Sequence, residues 1–279
     1  MTFTLMPFPW GVLMNISRLF VYPIKSCAGT EVDALSFDLH GPRHDRRYVI
    51  VKPNGDFLTQ RQWPAMAWIK PTVSNDGLNI TAPGMEDVRL NLEVAGGRRR
   101  VNIWRDELEG DDCGDAIADW LSKYLKTPSR LMRLPQDSRR RVDTDYVAQE
   151  QWVGYADGFP LLVISQTSVD FLSAKLGREF ALQRFRPNIV VAGAEREFAE
   201  CDWQSLYLQS VGEIQLVKPC ERCVIPTRDL ATQTRESDAL DVLKNYCRID
   251  GRIVFGQNAI LIGAKELSVG QQLSSNDGS

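Results

Sequence analysis

The sequence predicts a mixed, β-rich α+β fold of one or two domains. Short alternating or β-branched runs separated by turn residues occupy the first third, and helical periodicity occurs in only a few later segments. The chain has 279 residues, which is enough to bury a sizeable core. Its 43% hydrophobic and 25% charged residues are ordinary globular values, so a disordered chain is excluded.

The first third is expected to form an antiparallel sheet or barrel. Asn54-Gly55 stands between two strand-like runs and supplies the positive φ values of a tight hairpin turn. Residues 95–97, Ala-Gly-Gly, are expected to form a second such turn. The strands predicted here are 19–22, 48–51, 78–81, 88–92 and 101–104.

A helix is predicted over residues 116–125, where apolar side chains recur at helical spacing. Asp111, Asp112 and Asp115 precede it and suit the positive end of a helix dipole. The polar segment 135–145 is expected to be a linker or a surface loop.

The second half predicts a mixture of strands and helices. A helix through Val169 and Leu176 is expected to begin at Ser165 or Thr167, with Thr167 and Asp170 as a capping box. The polar tail from Ser274 is predicted to be disordered. Further strands are expected at 159–165, 188–193, 205–210, 213–218 and 259–264, and a helix near 239–246.

Charge and the first residues limit the partners and the compartment. Lys plus Arg number 33 against 36 Asp plus Glu, and this balance argues against a nucleic-acid polymer as partner. The basic triplets 98–100 and 139–141 are predicted to be solvated surface.

Residues 1–13 form an extension without a basic n-region, interrupted by Pro7 and Pro9, so neither a signal peptide nor a membrane span is predicted. We expect a cytoplasmic protein, with no membrane partner, whose six cysteines are core, metal-binding or catalytic residues.

The segment KPCERC (218–223) is the sharpest chemical feature. A zinc site needs further ligands, and the two histidines, His40 and His44, lie far upstream. A redox dithiol normally lies at the start of a helix. Pro226 and the polar residues around it do not predict a helix after Cys223. A single metal-binding thiolate is favoured, because nearby Lys and Arg stabilise a thiolate. Two buried cysteines that pack as small hydrophobes stay an alternative.

Six segments in order resemble the MOSC family, in its branch with an N-terminal β-barrel domain. They are YPIKSC (22–27), HDRRYVIV (44–51), YADGFPLLVIS (155–165), FRPNIVV (185–191), KPCERC (218–223) and FGQNAIL (255–261). The resemblance implies an N-terminal β-barrel-like domain at 14–130, then a MOSC-type β-barrel domain with packed helices at 131–275. Residues 276–279 would be a flexible tail.

The same resemblance implies an enzyme with the molybdenum cofactor (Mo-molybdopterin) that reduces N-hydroxylated compounds to amines. Amidoximes, hydroxylamines and N-hydroxylated nucleobases are the implied substrates. Cys223 becomes the protein thiolate on molybdenum and Cys220 its neighbour. Arginine forks and asparagine amides suit the phosphate and the pterin edge of this cofactor. The implied cofactor contacts are Lys25, Ser26, Arg46, Gly158, Phe159, Arg186, Asn188, Glu221, Arg222 and Asn258.

Three further expectations follow from the resemblance. Some members continue into a ferredoxin domain that is absent here, so electrons are expected from a separate donor protein of ferredoxin, flavodoxin or flavoreductase type. The loop 226–233 departs from the family pattern, and substrate reach is expected to differ there. Asp157 is a candidate proton donor. The alternative function is a non-redox sulfur-transfer or cofactor-carrier protein that uses Cys223.

Overall fold

The computed structural model describes residues 14–74, 77–91, 96–209 and 211–277. Within these ranges the helices are α1 (Asp115–Leu125), α2 (Gln166–Leu176) and α3 (Ser237–Tyr246). Short 3-10 turns occupy Pro64–Trp68, Leu182–Phe185, Ala199–Cys201 and Ile225–Thr227.

The strands of the described residues are numbered in chain order. They are β1 (Met14–Val21), β2 (Thr30–Val32), β3 (Ala34–Asp38), β4 (Gly41–Pro42), β5 (Tyr48–Val51), β6 (Lys70–Ser74), β7 (Gly77–Thr81), β8 (Val88–Asn91), β9 (Arg98–Ile103), β10 (Asp106–Asp112), β11 (Arg130–Arg133), β12 (Leu161–Ser165), β13 (Ile189–Ala192), β14 (Trp203–Leu208), β15 (Glu213–Glu221), β16 (Arg248–Ile249), β17 (Arg252–Ile262), β18 (Glu266–Ser268) and β19 (Gln272–Asp277).

The largest sheet closes into a barrel. Its order is β12-β13-β1-β19-β14-β15-β17, and pairing of β12 with β17 completes the ring, while β2 and β16 extend it beside β1 and β17. β12 and β13 run parallel and the other neighbours run antiparallel. Side chains alternate between the two faces of each strand. One set fills the interior, as Ile16 and Leu206 do, and the other packs against α2 and α3, as Phe20 and Ile164 do.

Two smaller sheets build the rest of the first half. The order β5-β11-β10-β9 forms one and β6-β7-β8 the other, and α1 buries Ile117 and Leu121 against their shared core. β18-β3-β4 forms a further sheet beside the barrel. The predicted β-rich α+β class with barrel architecture is confirmed. No helix among the described residues is both long and apolar enough to cross a bilayer.

The first predicted hairpin turn and the first predicted helix are both confirmed. Gly55 has a φ of 87°, and the N–H of Lys52 donates to the carbonyl of Asp56 across the turn. The helix begins at Asp115, but Asp112 belongs to strand β10 instead of the helix start. Its carboxylate still accepts a hydrogen bond from the N–H of Gly114, immediately before the helix.

The predicted capping box of α2 is wrong. The hydroxyl of Thr167 donates to the carbonyl of Ala194, and the carboxylate of Asp170 accepts from the side chain of Gln166. Ser165 occupies the cap position without a capping hydrogen bond from its side chain. Tertiary contacts of Thr167 therefore replace the local box.

The prediction of a disordered tail from Ser274 is also wrong as far as Asp277, because β19 pairs with β14 and β1. Residues 278–279 and the extension 1–13 lie outside the described residues. The predicted turn at 95–97 begins at Ala95, also outside them, and its flanking strands β8 and β9 belong to different sheets.

The domain limits near residue 130 stay a prediction. Strands β1 and β3 of the first half pair with strands of the second half.

Candidate cofactor site

Every residue that the sequence predicts for the site lies on one cleft of about 160 Å³. The cleft is bounded by loops that follow β1, β4 and β9 and by the ends of β12, β13, β15 and β17. The predicted residues in its lining are Lys25, Ser26, Arg46, Gly158, Phe159, Arg186, Asn188, Glu221, Arg222, Cys223 and Asn258.

The cysteine pair lies at the end of a longer strand than predicted. β15 continues through Pro219 and Cys220, so Cys220 is part of the strand and does not follow it. The pairing with β17 is irregular here, and the N–H of Arg222 donates to the carbonyl of Ile253 at 2.7 Å. Cys223 stands just beyond the strand, half-buried and without a disulfide partner. The thiol is therefore available to a ligand in the cleft.

Arg222 connects the cysteine pair to the cleft wall. Its guanidinium donates to Sγ of Cys220 at 3.0 Å and to the carbonyl of Phe185 at 2.8 Å. Its Nε is buried without a hydrogen-bond partner among the described residues. No group of three or more His, Cys, Asp or Glu that could hold a metal ion occurs in that part of the chain. The described residues thus supply a thiol beside a cation but no ligand set for zinc.

Two arginines and an aromatic ring form the cationic wall. The guanidinium carbons of Arg46 and Arg186 lie 4.4 and 4.3 Å from the ring centroid of Tyr22. Arg186 donates to the carbonyl of Cys27 at 2.6 Å, while its Nη2 is buried without a partner among the described residues. Burial and the charge of Arg46 lower the pKa of Arg186. An anionic ligand would relieve this repulsion and satisfy the open donor.

Three predicted cofactor contacts in the cleft have a left-handed backbone conformation. Ser26, Arg46 and Arg186 have φ values of 67°, 46° and 58°, a region that side-chain-bearing residues rarely adopt. Such conformations persist where the surrounding structure enforces them, and they are frequent at functional sites. Three predicted cofactor contacts therefore share a conformation that local preference does not favour.

Asn188 differs from the other predicted contacts because its side chain is fully used by the protein. Its Nδ2 donates to the carbonyl of Phe20 and to Asp45, and its Oδ1 accepts from Arg46 and from the N–H of Leu162. The residue is 1% exposed. It holds Arg46 in position, and it has no polar group left to offer a ligand.

Lys25 is buried beside the cleft with one acidic partner. Its ammonium donates to the carbonyl of Tyr155 at 2.7 Å and to Asp157 at 2.6 Å. Burial lowers the pKa of Lys25 to about 8, although the charge of Asp157 opposes the shift. The lysine thus changes charge near neutral pH, unlike an exposed lysine.

This titration predicts a pH-dependent retention of an anionic cofactor. Lys25 carries its charge below pH 8, so retention should be highest there and should fall as the pH rises through about 8. Molybdenum bound per protein after dialysis between pH 6.5 and 9.5 measures it. Lys25→Arg keeps its charge over this range, so its profile should lack this fall. A fall of equal size in the variant would contradict the assignment.

The remaining predicted residues shape the cleft in different ways. A Cβ added at Gly158 would meet no atom within 4 Å, so open space adjoins this backbone. Phe159 is buried against Tyr146 and can face a ligand mainly through its main chain. Glu221 pairs with Arg252 at 2.5 Å. Asn258 donates weakly to the carbonyl of Lys218 at 3.3 Å and so faces the end of β15.

Sequence reasoning missed the opposite wall. Phe57, Thr59, Arg61 and Trp104 line the cleft from the β5 hairpin and the turn after β9. Trp104 donates from its indole N–H to Asp157 at 2.9 Å, and the Arg61 guanidinium lies 4.8 Å from a Trp104 ring centroid. Trp104 is exposed, as large apolar side chains at binding sites often are, but only the structure shows this exposure.

The residues fit the molybdenum cofactor in kind. Buried guanidinium nitrogens without a described partner, on Arg184, Arg186 and Arg222, call for acceptor atoms and negative charge. The space beside Gly158 leaves backbone accessible to a planar group. Cys223 provides one soft thiolate donor, which suits a transition metal that brings its other ligands with it.

Fold and site together define a β-barrel protein with a thiol-bearing, cationic cofactor cleft. Residues 13–128 match the family described as MOSC N-terminal beta barrel domain, and residues 150–274 match the MOSC domain. The chain belongs to the MOSC family.

Several curated proteins are similar over most of the chain. Mitochondrial amidoxime reducing component 2 of Rattus norvegicus is 33% identical over 245 residues, which cover 83% of this chain and 72% of that protein. Mitochondrial amidoxime-reducing component 1 of Homo sapiens is 30% identical, covering 88% and 76%. Molybdenum cofactor sulfurase 1 of Aedes aegypti is 29% identical, covering 87% of this chain and 33% of that protein. These relatives support a function connected with the molybdenum cofactor.

Proposed function

We propose that this protein is a molybdenum-cofactor-dependent reductase that converts N-hydroxylated compounds, such as amidoximes, hydroxylamines and N-hydroxylated nucleobases, to amines. The observation that supports this most is the position of Cys223 on a cleft whose buried or half-buried cations include Lys25, Arg46, Arg186 and Arg222. Similarity to amidoxime-reducing components supports the reaction class.

In this proposal Cys223 ligates the metal, and the cations hold the acceptor-rich part of the cofactor. The bound cofactor supplies two-electron chemistry: the substrate N–O bond breaks, two electrons and two protons are taken up, and the oxygen leaves as water. A separate ferredoxin, flavodoxin or flavoreductase supplies the electrons. The protein orients the cofactor and shields it within the cleft. A cytoplasmic location stays a prediction.

The test uses the full chain purified from cells that make the cofactor. We expect about one molybdenum per protein and conversion of benzamidoxime to benzamidine when a chemically reduced flavodoxin or ferredoxin is supplied. A protein without molybdenum, or turnover that is equal with and without molybdenum, would contradict the proposal.

The alternative is a sulfur-transfer or carrier protein, which similarity to a molybdenum cofactor sulfurase favours. It predicts bound molybdenum without turnover under any electron donor, or persulfide sulfur on Cys223. Mass spectrometry of the alkylated protein and transfer of cofactor to an apo-enzyme would detect these outcomes, and the reductase predicts neither.

A further inference from the structure

The cleft is mainly cationic but also contains carboxylates. The lining holds six cationic side chains and two acidic ones, Asp157 and Glu221. Glu221 is paired with Arg252, which is not part of the lining. The side chain of Asp157 is 73% exposed, so it lies where the cleft opens to solvent. Asp157 is therefore an acidic group that a small molecule entering the cleft can reach.

The position of this carboxylate is set from several sides. Oδ1 of Asp157 accepts from the Lys25 ammonium at 2.6 Å and from the Trp104 indole at 2.9 Å. Arg140 holds the backbone, because its guanidinium donates to the carbonyls of Ala156 at 2.5 Å and of Asp157 at 3.2 Å. Arg140 is 8% exposed, so the prediction that residues 139–141 form a solvated run is wrong for this residue.

The second oxygen of the carboxylate stays open. None of the hydrogen bonds of the described residues engages Oδ2 of Asp157, since both recorded side-chain contacts go to Oδ1. Partial burial opposes ionisation of the carboxyl group, but the charge and hydrogen bond of Lys25 outweigh it and hold the pKa of Asp157 below its ordinary value. This shift favours the ionised form, which accepts hydrogen bonds, and the proton-donor role expected from the sequence stays a prediction.

Asp157 places a negative charge in this mainly cationic cleft. Arg46 and Arg186 attract negative groups, whereas the ionised Asp157 repels them and attracts N–H donors. Trp104 lies beside the carboxylate, 49% exposed, with its ring in edge contact with Phe57 at 5.0 Å. An aromatic surface next to a fixed acceptor suits a flat molecule that carries an amino group.

We propose that Asp157 is a specificity-determining residue of the substrate subsite, where its open oxygen accepts a hydrogen bond from the amino N–H on the carbon that bears the N–O group. The inference rests on the proposed reductase function. It predicts a preference, among N-hydroxylated compounds, for those that carry an amino N–H beside the reacting nitrogen. Trp104 is a positioning residue, since it acts by holding Oδ1 of Asp157.

The test compares benzamidoxime with its N,N-dimethylamino analogue, which has the same ring and N–O bond but no amino N–H. The wild type should prefer benzamidoxime in kcat/KM. In Asp157→Asn the amide oxygen can still accept hydrogen bonds from Lys25 and Trp104. The amide NH₂ group then faces the substrate amino group, and it cannot accept a hydrogen bond from it. That preference should fall by about tenfold or more, which is the size of a lost hydrogen bond to a charged group. Molybdenum content should stay unchanged at pH 6.5, which is used because loss of the Asp157 charge lowers the pKa of Lys25 further.

A binding measurement provides a readout that does not depend on turnover. Benzamidine, the cationic product, should bind the molybdenum-loaded protein about tenfold more weakly after Asp157→Asn when measured by calorimetry. Trp104→Phe keeps an aromatic ring but removes the indole donor, and it should lower both selectivity and benzamidine affinity by a smaller factor. The control is Asp238→Asn, which makes the same change at an aspartate that pairs with Arg178 outside the cleft and should alter neither quantity.

The possible failures can be told apart. An unchanged substrate preference and unchanged benzamidine affinity in Asp157→Asn would overturn the inference while the reductase function stands. Loss of molybdenum in this variant would assign Asp157 to cofactor binding, and this result would also overturn the inference. If the wild type reduces neither substrate, the proposed reductase function itself fails and the inference falls with it.

Discussion

Cys223→Ser is expected to abolish reduction of N-hydroxylated substrates. A serine hydroxyl is a far poorer ligand than a thiolate for a soft metal site, and changes around the ligands alone already cost 10–100-fold, so activity should fall by more than about 100-fold. The far-ultraviolet spectrum and melting temperature should stay close to those of the wild type, because Cys223 is half-buried and outside the core clusters. Turnover of benzamidoxime and molybdenum per protein are the measurements.

Two other cysteines serve as controls for this variant. Cys201 is free, exposed and outside the cleft, so Cys201→Ser should leave turnover unchanged. Cys220→Ser should retain the metal, because Cys220 contacts Arg222 and is assigned no ligand role. If Cys220→Ser loses molybdenum and Cys223→Ser keeps both molybdenum and turnover, the assignment of the ligand to Cys223 is wrong.

Asn188→Ala is expected to lower the free energy of unfolding by about 3 kcal/mol, which is typical when a buried hydrogen-bond network loses its central member. The change leaves Asp45, the N–H of Leu162 and one donor of Arg46 without their partner. Urea unfolding of the cofactor-free protein measures this. Asn54→Ala, at an exposed turn with only local contacts, should cost less than about 1 kcal/mol.

The same variant tests why Arg46 matters. If Asn188 acts by holding Arg46, then Asn188→Ala should also reduce the molybdenum retained by the folded protein. Full retention in a destabilised variant would show that Arg46 keeps its position through its other partners, Asp45 at 2.6 Å and the carbonyl of Arg186 at 3.2 Å.

Local patterns predicted the elements whose stability is local or strictly periodic. The spacing of Ile117, Leu121 and Leu125 was sufficient for α1, and Asn54-Gly55 was sufficient for its turn. The strand β19 could not be predicted, because Ser274 and Ser275 are polar and become ordered through pairing with β14. The capping box of α2 failed for a related reason, since the hydroxyl of Thr167 bonds to Ala194, a distant residue.

For the site, the motifs predicted eleven residues that line one cleft, but they could not distinguish the role of each residue. Asn188 has an amide suited to a ligand and uses it for the protein. Arg140 belongs to a basic triplet and is buried under the Asp157 backbone. Trp104 and Arg61 reach the cleft from turns that follow β9 and β5, and no local pattern predicts where these turns lie in the fold. These roles depend on pairings between residues far apart in sequence.

The pairing of β1 with β19 has a consequence for how the protein assembles. This contact pairs Met14 with Leu273, two residues that lie near opposite ends of the described chain. The ring of strands therefore closes through a contact of very large sequence separation. Proteins with a high relative contact order fold slowly, because the entropy of loop closure opposes the transition state. The strands beside the cleft, β15, β17, β12, β13 and β1, are joined to one another without β19, so Arg46, Arg186 and Cys223 can come together before the ring closes.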